Sequence, residues 1–314
     1  MNMKKANSFF EQRNYDEAIG LLVPIVANCP LTAEEKIQAS KLLISSYLAI
    51  DNLEAANKVA GDVMAQNPNY KPDKLKDDPK LYSLFAKYRP SPVLSVGIFG
   101  GINIPSVHVI NTYSVVHSDG ATGLATYSNK TGFNIGAKAE YRAYREFWVD
   151  GGIQYRETNY EHTLDSIGSK TVTYTEKMNY LDIPVSAKYY FLKKHLQPYL
   201  EAGFDFSFLT NATSTTVRSN SQDAVSRTSL RNIFQMGYWG AIGCNYKYNN
   251  ILFYFDVRYI YFPRQVNKSG TRYNDPINLW RYYYIDDDFS MNIMEMNIGV
   301  AYVLKYRNLN HGQK

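Results

Sequence analysis

From Pro92 to the end of the chain, apolar and polar side chains alternate one by one. Leu181, Ile183 and Val185, for example, fall on the opposite parity to Asp182. A period of two is typical of a β-strand whose two faces meet different surroundings. Eight segments carry this pattern, and they predict strands at 94–103, 133–142, 147–156, 181–189, 200–208, 234–247, 253–259 and 294–305.

The connections between these strands also alternate. Tight turns are predicted after the second, fourth and sixth strands, and long polar loops after the first, third, fifth and seventh, at 110–130, 160–175, 210–230 and 264–288. Short turns on one side and long loops on the other are typical of an outer-membrane β-barrel, with the turns in the periplasm. An even strand number places both barrel ends on the turn side, so the residues before the first strand are predicted to be periplasmic.

The volume of the barrel predicts which face meets lipid. Eight strands leave an interior just wide enough for a modest set of side chains. The apolar set is bulky and rich in Phe and Tyr, whereas the polar, glycine-containing set fits this space. We therefore expect apolar residues to face lipid, with backbone groups satisfied by closure. Of the 28 tyrosines, nine at strand ends are predicted to form interfacial girdles: Tyr141, Tyr144, Tyr189, Tyr190, Tyr246, Tyr248, Tyr261, Tyr302 and Tyr306.

The inward parity carries charges of both signs in equal number. Buried charges persist only when they are paired, so a cross-strand ion-pair network is predicted to fill the lumen, with a narrow water-filled pore as the alternative. The predicted cations are Lys138, Arg142, Arg156, Lys188, Lys247, Arg258 and Lys305, and the carboxylates are Glu140, Asp150, Asp182, Glu201, Asp205, Asp256 and Glu295.

Residues 1 to about 68 have the helical period instead, and the pattern repeats. The start of a predicted helix and the proline that closes it both recur at an offset of 38 residues, from Tyr15 to Leu53 and from Pro30 to Pro68. This resembles tetratricopeptide (TPR) repeats, with the extra residues in the connection where Thr32 begins a capping box. Asp78 is predicted to cap a further helix. Two domains are predicted, a helical periplasmic domain over residues 1–90 and a barrel over residues 91–314.

A second resemblance lies in the central hairpin. Residues 180–191 read YLDIPVSAKYYF and residues 197–203 read QPYLEAG. These motifs resemble the PorT-like outer-membrane β-barrel family of Bacteroidota, and the resemblance extends over about 93–306. It implies an eight-stranded antiparallel up-and-down barrel in the outer membrane of a Gram-negative bacterium. The family's namesake belongs to the type IX secretion machinery, so the resemblance also implies a possible secretion-accessory role.

Other features narrow the function classes. The net charge of +5 is interspersed along the 314 residues, so no nucleic-acid partner is expected. The five histidines have no metal-ligand spacing, so no metal and no cofactor are expected. Cys29 and Cys244 are interpreted as small apolar fillers. The start MNMKKA resembles a signal n-region without an apolar stretch after it, so a membrane barrel implies a signal peptide outside this sequence.

Two loop features bear on binding and catalysis. The segment 271–288 holds Trp280 and Tyr283 and then three aspartates. Its aromatics would suit a glycan or a partner loop and its carboxylates Ca²⁺, but girdle residues followed by a solvated acidic stretch are the favoured interpretation. His162 with Asp165 and Ser166, or His117 with Asp119, would supply groups for a lipid-modifying enzyme, although no spacing fixes a base beside a nucleophile.

We therefore expect no catalytic residues and a non-enzymatic outer-membrane anchor or scaffold in contact with outer-membrane lipid. Its helical region is expected to bind a periplasmic or outer-membrane protein in an envelope assembly or secretion complex. The aromatic partner-binding candidates are Phe9, Tyr15, Tyr47, Trp280 and Tyr283. A lipid-modifying enzyme and a narrow pore remain the alternatives.

Overall fold

The computed structural model describes residues 2–67, 70, 72–115, 125–166, 170–192, 195–268 and 270–310. It divides into two compact units. One consists of residues 1–93 with the tail 304–314, and the other of residues 94–303.

The described part of the first unit contains five helices. Thr32 and Glu35 form the predicted capping box at the start of the third helix, and Asp78 caps the fifth through the Lys80 N–H, so both cap predictions are confirmed. None of the described helices is long and apolar enough to cross a bilayer. The helices are α1 Asn2–Glu11, α2 Tyr15–Asn28, α3 Ala33–Ala49, α4 Leu53–Gln66 and α5 Pro79–Ala86.

Alanines lie where these helices pack against each other. Ala6, Ala18 and Ala39 are fully buried in a cluster shared by α1, α2 and α3. Ala56 and Ala60 are fully buried in a second cluster, formed by α3, α4 and α5. Small side chains let helix backbones approach closely, which explains why the helical period here is carried as much by Ala as by Leu or Ile.

The second unit is a closed antiparallel sheet. Eight strands form the ring in the order β1-β2-β3-β4-β5-β7-β8-β9, and β9 pairs with β1 to close it. The predicted eight-stranded antiparallel barrel preceded by helices is confirmed. The strands are β1 Tyr88–Asn111, β2 Thr126–Tyr144, β3 Phe147–Ser166, β4 Lys170–Tyr190, β5 Leu196–Arg218, β6 Ser221–Ser226, β7 Phe234–Tyr248, β8 Ile251–Tyr261 and β9 Asp288–Asn310.

Two of the predicted loops are largely strand. Most of 160–175 belongs to the paired ends of β3 and β4, and 210–230 contains the end of β5 and the short strand β6. The prediction of long polar loops was wrong here because it relied on lipid-type alternation, and these strand ends have a different alternation.

The polarity of the two strand faces reverses part-way along the barrel. In β4, Ile183 faces outward and Asp182 is buried inside, as expected in lipid. Nearer the long-loop end, Met178 and Tyr180 are buried inside, whereas Thr175 lies on the outward parity. This reversal marks the edge of the apolar band, so the membrane-spanning segments are about 94–103, 133–142, 147–156, 181–190, 196–208, 234–248, 251–261 and 293–304.

Bulges lie at this reversal. The register shifts between Lys130 and Phe133 in β2, and β5 has an extra residue at Thr210 opposite the Asn179–Tyr180 step. A bulge moves the following side chains to the opposite parity. Beyond the apolar band the barrel has the arrangement of a water-soluble protein, with an apolar core inside and Thr, Asn and Lys outside.

Candidate functional site

An aromatic layer fills the lumen near the short-turn end. Trp148 and Tyr190 have ring centroids 5.7 Å apart, and Tyr190 and Tyr199 are 5.6 Å apart, in edge-to-face geometry. Tyr190 was predicted to lie in the interfacial girdle, and that assignment was wrong because its parity points into the lumen. The ring of Tyr199 lies over Gly243, where a Cβ atom would be 2.4 Å from the ring.

Above this layer, one buried lysine gathers carboxylates from three other strands. Lys188 Nζ lies 2.6 Å from Glu140, 2.7 Å from Asp150 and 3.4 Å from Glu201. Lys138 also contacts Glu140, at 2.9 Å. Lys188 is fully buried, and this cluster ties four strands together across the interior.

A second charged layer follows toward the long-loop end. Arg156 binds Asp182 at 2.7 Å and lies 3.9 Å from Glu295. Arg258 contacts Glu295 at 3.8 Å and stacks on the Trp239 ring at 3.9 Å. Stacking on an aromatic face partly replaces the hydration that a buried guanidinium loses.

The predicted balance of seven cations and seven carboxylates does not hold. Lys305 is exposed near the end of β9, and Arg142 and Lys247 lie beside the short turns, where Arg142 donates to the Arg145 carbonyl. Of the fourteen predicted charges, four cations and all seven carboxylates lie in the described lumen. Neutral donors also contact two of these carboxylates: Tyr199 and Asn297 donate to Asp256, at 3.1 and 3.0 Å, and Ser207 donates to Asp205 at 3.5 Å.

At the long-loop end, two fully buried arginines fasten the last loop inside the barrel. Arg231 donates to Glu176 of β4 and, at 2.9 Å, to Asp286. Arg227 donates to Asp286 and Asp275. Burial and these two arginines act in opposite directions on Asp286, and the arginines hold the pKa of its carboxyl below the ordinary value.

The acidic stretch was therefore assigned wrongly. The side chains of Asp286, Asp287 and Asp288 are buried and not solvated. Asp287 accepts from the Tyr127 hydroxyl at 2.8 Å, and Asp288 pairs with Arg272 at 2.6 Å. The sequence pattern of consecutive aspartates predicts a solvated stretch because the arginines that pair with them lie far away along the chain.

His162, the first catalytic candidate, is a packed residue in this core. Its ring stacks on Tyr127 at 3.9 Å, and Nδ1 lies 3.2 Å from the Tyr284 hydroxyl. Burial lowers its pKa to about 4, against a weaker opposite effect of Asp286. With only 1% of its surface exposed, His162 has no access to a lipid substrate. The side chains of Asp165 and Ser166, and all of His117 and Asp119, lie outside the described residues.

The aromatic partner candidates differ in their surroundings. Phe9 and Tyr47 pack against the helical clusters, and Tyr15 is half-buried with its ring 5.5 Å from the Phe10 ring. Trp280 and Tyr283 are exposed on the last loop. Phe9 and Tyr47 therefore have a packing role that the sequence pattern did not distinguish from a binding role.

The remaining predictions concern metals and cysteines. Among the described residues, no group of three or more His, Cys, Asp or Glu side chains has metal-binding geometry. Cys244 lies on the outward face of β7 opposite Phe255, as predicted. Cys29 is an exposed C-cap of α2, so its interpretation as an apolar filler was wrong.

The barrel, with its apolar outer band and charged interior, agrees with a comparison of the sequence with known families. Residues 85–261, more than half of the chain, match the family described as outer membrane protein beta-barrel domain. The chain belongs to this family. Its place in the outer membrane follows from this membership. The closer resemblance to PorT-like barrels and to Bacteroidota stays a prediction.

Solved structures similar to this barrel share little sequence with it. Neisserial surface protein A is 15% identical, and the match covers 67% of this chain and 97% of that protein, with a TM-score of 0.35. OprG from Pseudomonas aeruginosa is 14% identical, with 67% and 96% covered and a TM-score of 0.38. Ail of Yersinia pestis is 12% identical, with 68% and 99% covered and a TM-score of 0.32. No curated protein matches the sequence.

Proposed function

We propose that this outer-membrane barrel is a closed anchor and that its helical unit faces the periplasm and binds a protein partner. The observation that carries the proposal is the filled lumen. Lys188 ties four strands together through three carboxylates, an aromatic layer lies on one side of it, and the Arg156–Asp182 pair lies on the other. A lumen occupied by ion pairs favours an anchoring role over transport.

The orientation is supported by the connections. The described turns between β2 and β3 and between β7 and β8 are tight, whereas the loop before β9 is long and folded. In outer-membrane barrels the tight turns face the periplasm. The helical unit precedes β1, which begins at the tight-turn end, and a TPR-like pair of helices is a common binding surface for peptides.

The helical unit offers exposed apolar side chains for such a partner. Ile50 and Leu53 are exposed around the turn between α3 and α4, and Leu75 is almost fully exposed. Together with half-buried Tyr15 they replace Phe9 and Tyr47 as the better candidates. We propose that the partner contacts these side chains through an apolar segment and belongs to an envelope assembly or secretion complex.

Two measurements test the proposal. Planar-bilayer recording of the purified protein should show no steady conductance, and a large steady conductance would favour the pore. A photo-cross-linking residue at Tyr15 or Leu53, introduced in cells, should give adducts with one shared protein. The same residue at Lys177, on the opposite side of the membrane in this orientation, is the matched control. Equal adducts at all three positions would reject partner binding by the helical unit.

A lipid-modifying enzyme is the second candidate, and the burial of His162 weighs against it. Comparing the lipid A acyl pattern in cells with and without the gene tests this alternative directly. An unchanged pattern is expected.

A further inference from the structure

The closed sheet carries one strand that does not belong to the ring. Strand β6 pairs with β5 alone among the described strands and stands last in the sheet order. It lies beside β5 from Thr213 onward, whereas β7 pairs with β5 only up to Phe208. The other edge of β6 therefore has no strand against it in the described part of the chain. Such an edge presents a row of backbone N–H and C=O groups with which a further strand can pair.

The register of β6 fixes which of its backbone groups lie on this edge. Hydrogen-bonded and non-hydrogen-bonded pairs alternate along an antiparallel ladder. The Arg227 N–H donates to the Ala212 carbonyl at 2.8 Å, directly after the last pair of the β5–β6 ladder. Counted back in steps of two, Gln222, Ala224 and Ser226 fall in the other set, so their N–H and C=O groups point away from β5. All three residues are exposed, and no described backbone group bonds to theirs across this edge.

The edge of β6 lacks the features that commonly keep other strands away. Edge strands are often protected by a lysine, a proline or a bulge. Strand β6 reads SQDAVS, and its register with β5 has no shift. Its one charged residue, Asp223, lies on the inward face, where it accepts from the Tyr282 hydroxyl and pairs with Arg281, both at 2.7 Å. The outward side chains are small or neutral, so nothing in β6 opposes an approaching strand.

The hairpin of β5 and β6 is also held in place from the inside. Thr216 of β5, which is opposite Asp223, donates to the Asn278 side-chain carbonyl at 2.6 Å. Asp223 contacts the same loop through Arg281 and Tyr282. A strand that is already ordered loses less entropy when it binds than a mobile segment does. The free edge is therefore prepared for binding.

We propose that β6 binds an extended segment of another protein, which adds to the sheet as a further strand. Gln222, Ala224 and Ser226 each offer one backbone N–H and one C=O on the free edge. These groups have the spacing of a β-strand, and another extended backbone matches that spacing. The small outward side chains leave room for the side chains of the partner strand.

A second copy of this chain does not fit the edge as well as a different protein does. Two copies that paired through β6 in the antiparallel sense would be related by a two-fold axis perpendicular to the sheet. Because β6 continues the barrel wall through β5, that axis would lie in the plane of the membrane, and one copy would be inverted. The partner is therefore a different chain. It binds at the end of the barrel opposite the tight turns, so it is not the partner proposed above for the helical unit.

Amide hydrogen exchange in the purified full chain, followed by NMR in detergent, tests the edge first. The N–H groups of Gln222, Ala224 and Ser226 should exchange fast, because they point away from β5. Those of Asp223 and Val225 should exchange slowly, because they bond to β5. Equal protection of all five amides would show that the edge is already covered and would overturn the proposal.

A tethered peptide then tests strand addition. The probe is a Thr-Val repeat joined through a Gly-Gly linker and a terminal cysteine to Asn220→Cys at the exposed hairpin tip, in a background with Cys29→Ser and Cys244→Ala. The tether gives the peptide a high effective concentration at the edge. We expect it to slow exchange of the Ala224 amide at least about tenfold. The same peptide with every repeat nitrogen methylated is the matched control and should change that exchange less than about twofold.

Two substitutions at one position test the contribution of the edge itself. Ala224→Pro removes an N–H that faces solvent, which an edge strand tolerates, so the barrel should still fold. The peptide should no longer protect the Gln222 and Ser226 amides in this variant. Ala224→Val keeps the N–H and should retain the protection. Heat-modified mobility on gels confirms that each variant is folded.

A photo-cross-linking residue at Gln222 tests for the partner in cells. It should give a protein adduct that is lost with Ala224→Pro and retained with Ala224→Val. No adduct, or an adduct that both variants retain, would overturn the proposal. So would a peptide that protects no amide, or equal protection by the methylated peptide. These results concern only β6, so their failure leaves the conductance measurement and the cross-linking at Tyr15 and Leu53 unaffected.

Discussion

At the residue scale, the buried charges differ from surface charges in what their loss leaves behind. Lys188 has side-chain neighbours on every side and no access to water, whereas Lys177 pairs with Glu157 at 2.5 Å on the outside with half of its side chain exposed. Water replaces a lost partner at the surface. Inside, three buried carboxylates would lose a shared partner, and Lys138 would still contact only Glu140 among the described ion pairs.

Replacing Lys188 with Met should therefore destabilise the barrel strongly. We expect a loss of about 3–5 kcal/mol in the free energy of unfolding, because the three carboxylates stay buried and lose the cation that contacts them all. Lys177→Met is the matched control and should lose less than about 1 kcal/mol. Urea titration in detergent, followed by tryptophan fluorescence, measures both. A similar small loss in both variants would show that the lumen is hydrated.

His162 should make the packing of the last loop depend on pH. Its pKa of about 4 in the folded state lies below the ordinary value of about 6.5, so the unfolded chain binds the proton first as the pH falls. The stabilisation is complete above about pH 6.5 and decreases toward pH 4, by up to about 3 kcal/mol.

Hydrogen exchange of the amides in 282–289 at pH 7, 5.5 and 4.5 measures this effect. Protection should decrease with pH in the parent protein and much less in His162→Phe. Burial raises the pKa of the neighbouring Asp287 and acts in the opposite sense, so the comparison between the two proteins isolates the histidine. Equal slopes would assign the pH dependence to other groups.

At the scale of the element, two of the three glycines of strand β7, Gly240 and Gly243, have different surroundings. Gly243 faces the lumen beneath the Tyr199 ring, where a Cβ atom would be 2.4 Å from the ring carbon. Gly240 is on the outward parity, and the nearest atom to its added Cβ would be 4.0 Å away. Strand pairing alone does not distinguish the two positions. They differ because an added side chain would point into the lumen at Gly243 and away from it at Gly240.

Gly243→Ala should displace Tyr199 and break its hydrogen bond to Asp256. Overpacking of this kind typically costs about 1–3 kcal/mol. Gly240→Ala in the same strand should be close to neutral. Thermal unfolding of both variants in the same detergent provides the comparison, and equal midpoints would mean that the tyrosine moves aside without cost.

At the scale of the whole molecule, two arrangements of apolar surface share one barrel. The membrane-spanning part shows apolar residues outward, and the part beyond Tyr180 buries them. The first arrangement requires an amphiphile and the second does not. A single sheet therefore joins a lipid-facing wall to an internally packed, water-facing extension.

Without an amphiphile the full chain should aggregate, and transfer into detergent should restore a monomer with heat-modifiable mobility. The physical reason is the exposed apolar band, because soluble monomeric proteins rarely leave a large apolar surface uncovered. Size-exclusion chromatography with light scattering distinguishes the states. A folded monomer in plain buffer would contradict the lipid-facing assignment.

The sequence by itself determined the architecture, because a period of two and the limited volume of eight strands leave one arrangement for the bulky side chains. It also identified the capping residues and most lumen charges, which depend on local spacing and parity. The sequence did not predict the extended strand ends. Beyond the lipid the inward positions become apolar and the outward positions polar, and the bulges change which positions face inward.

Only the tertiary structure decided which charges pair and where the last loop lies. Asp286 meets Arg227 and Arg231 from more than fifty positions away, and no local pattern encodes such a contact. Tyr190 and Lys305 have ordinary strand-end sequences, but closure of the ring buries one and exposes the other. Burial is set by what the whole barrel brings together, so the burial of Asp286, Asp287 and Asp288 inside the barrel became visible only in three dimensions.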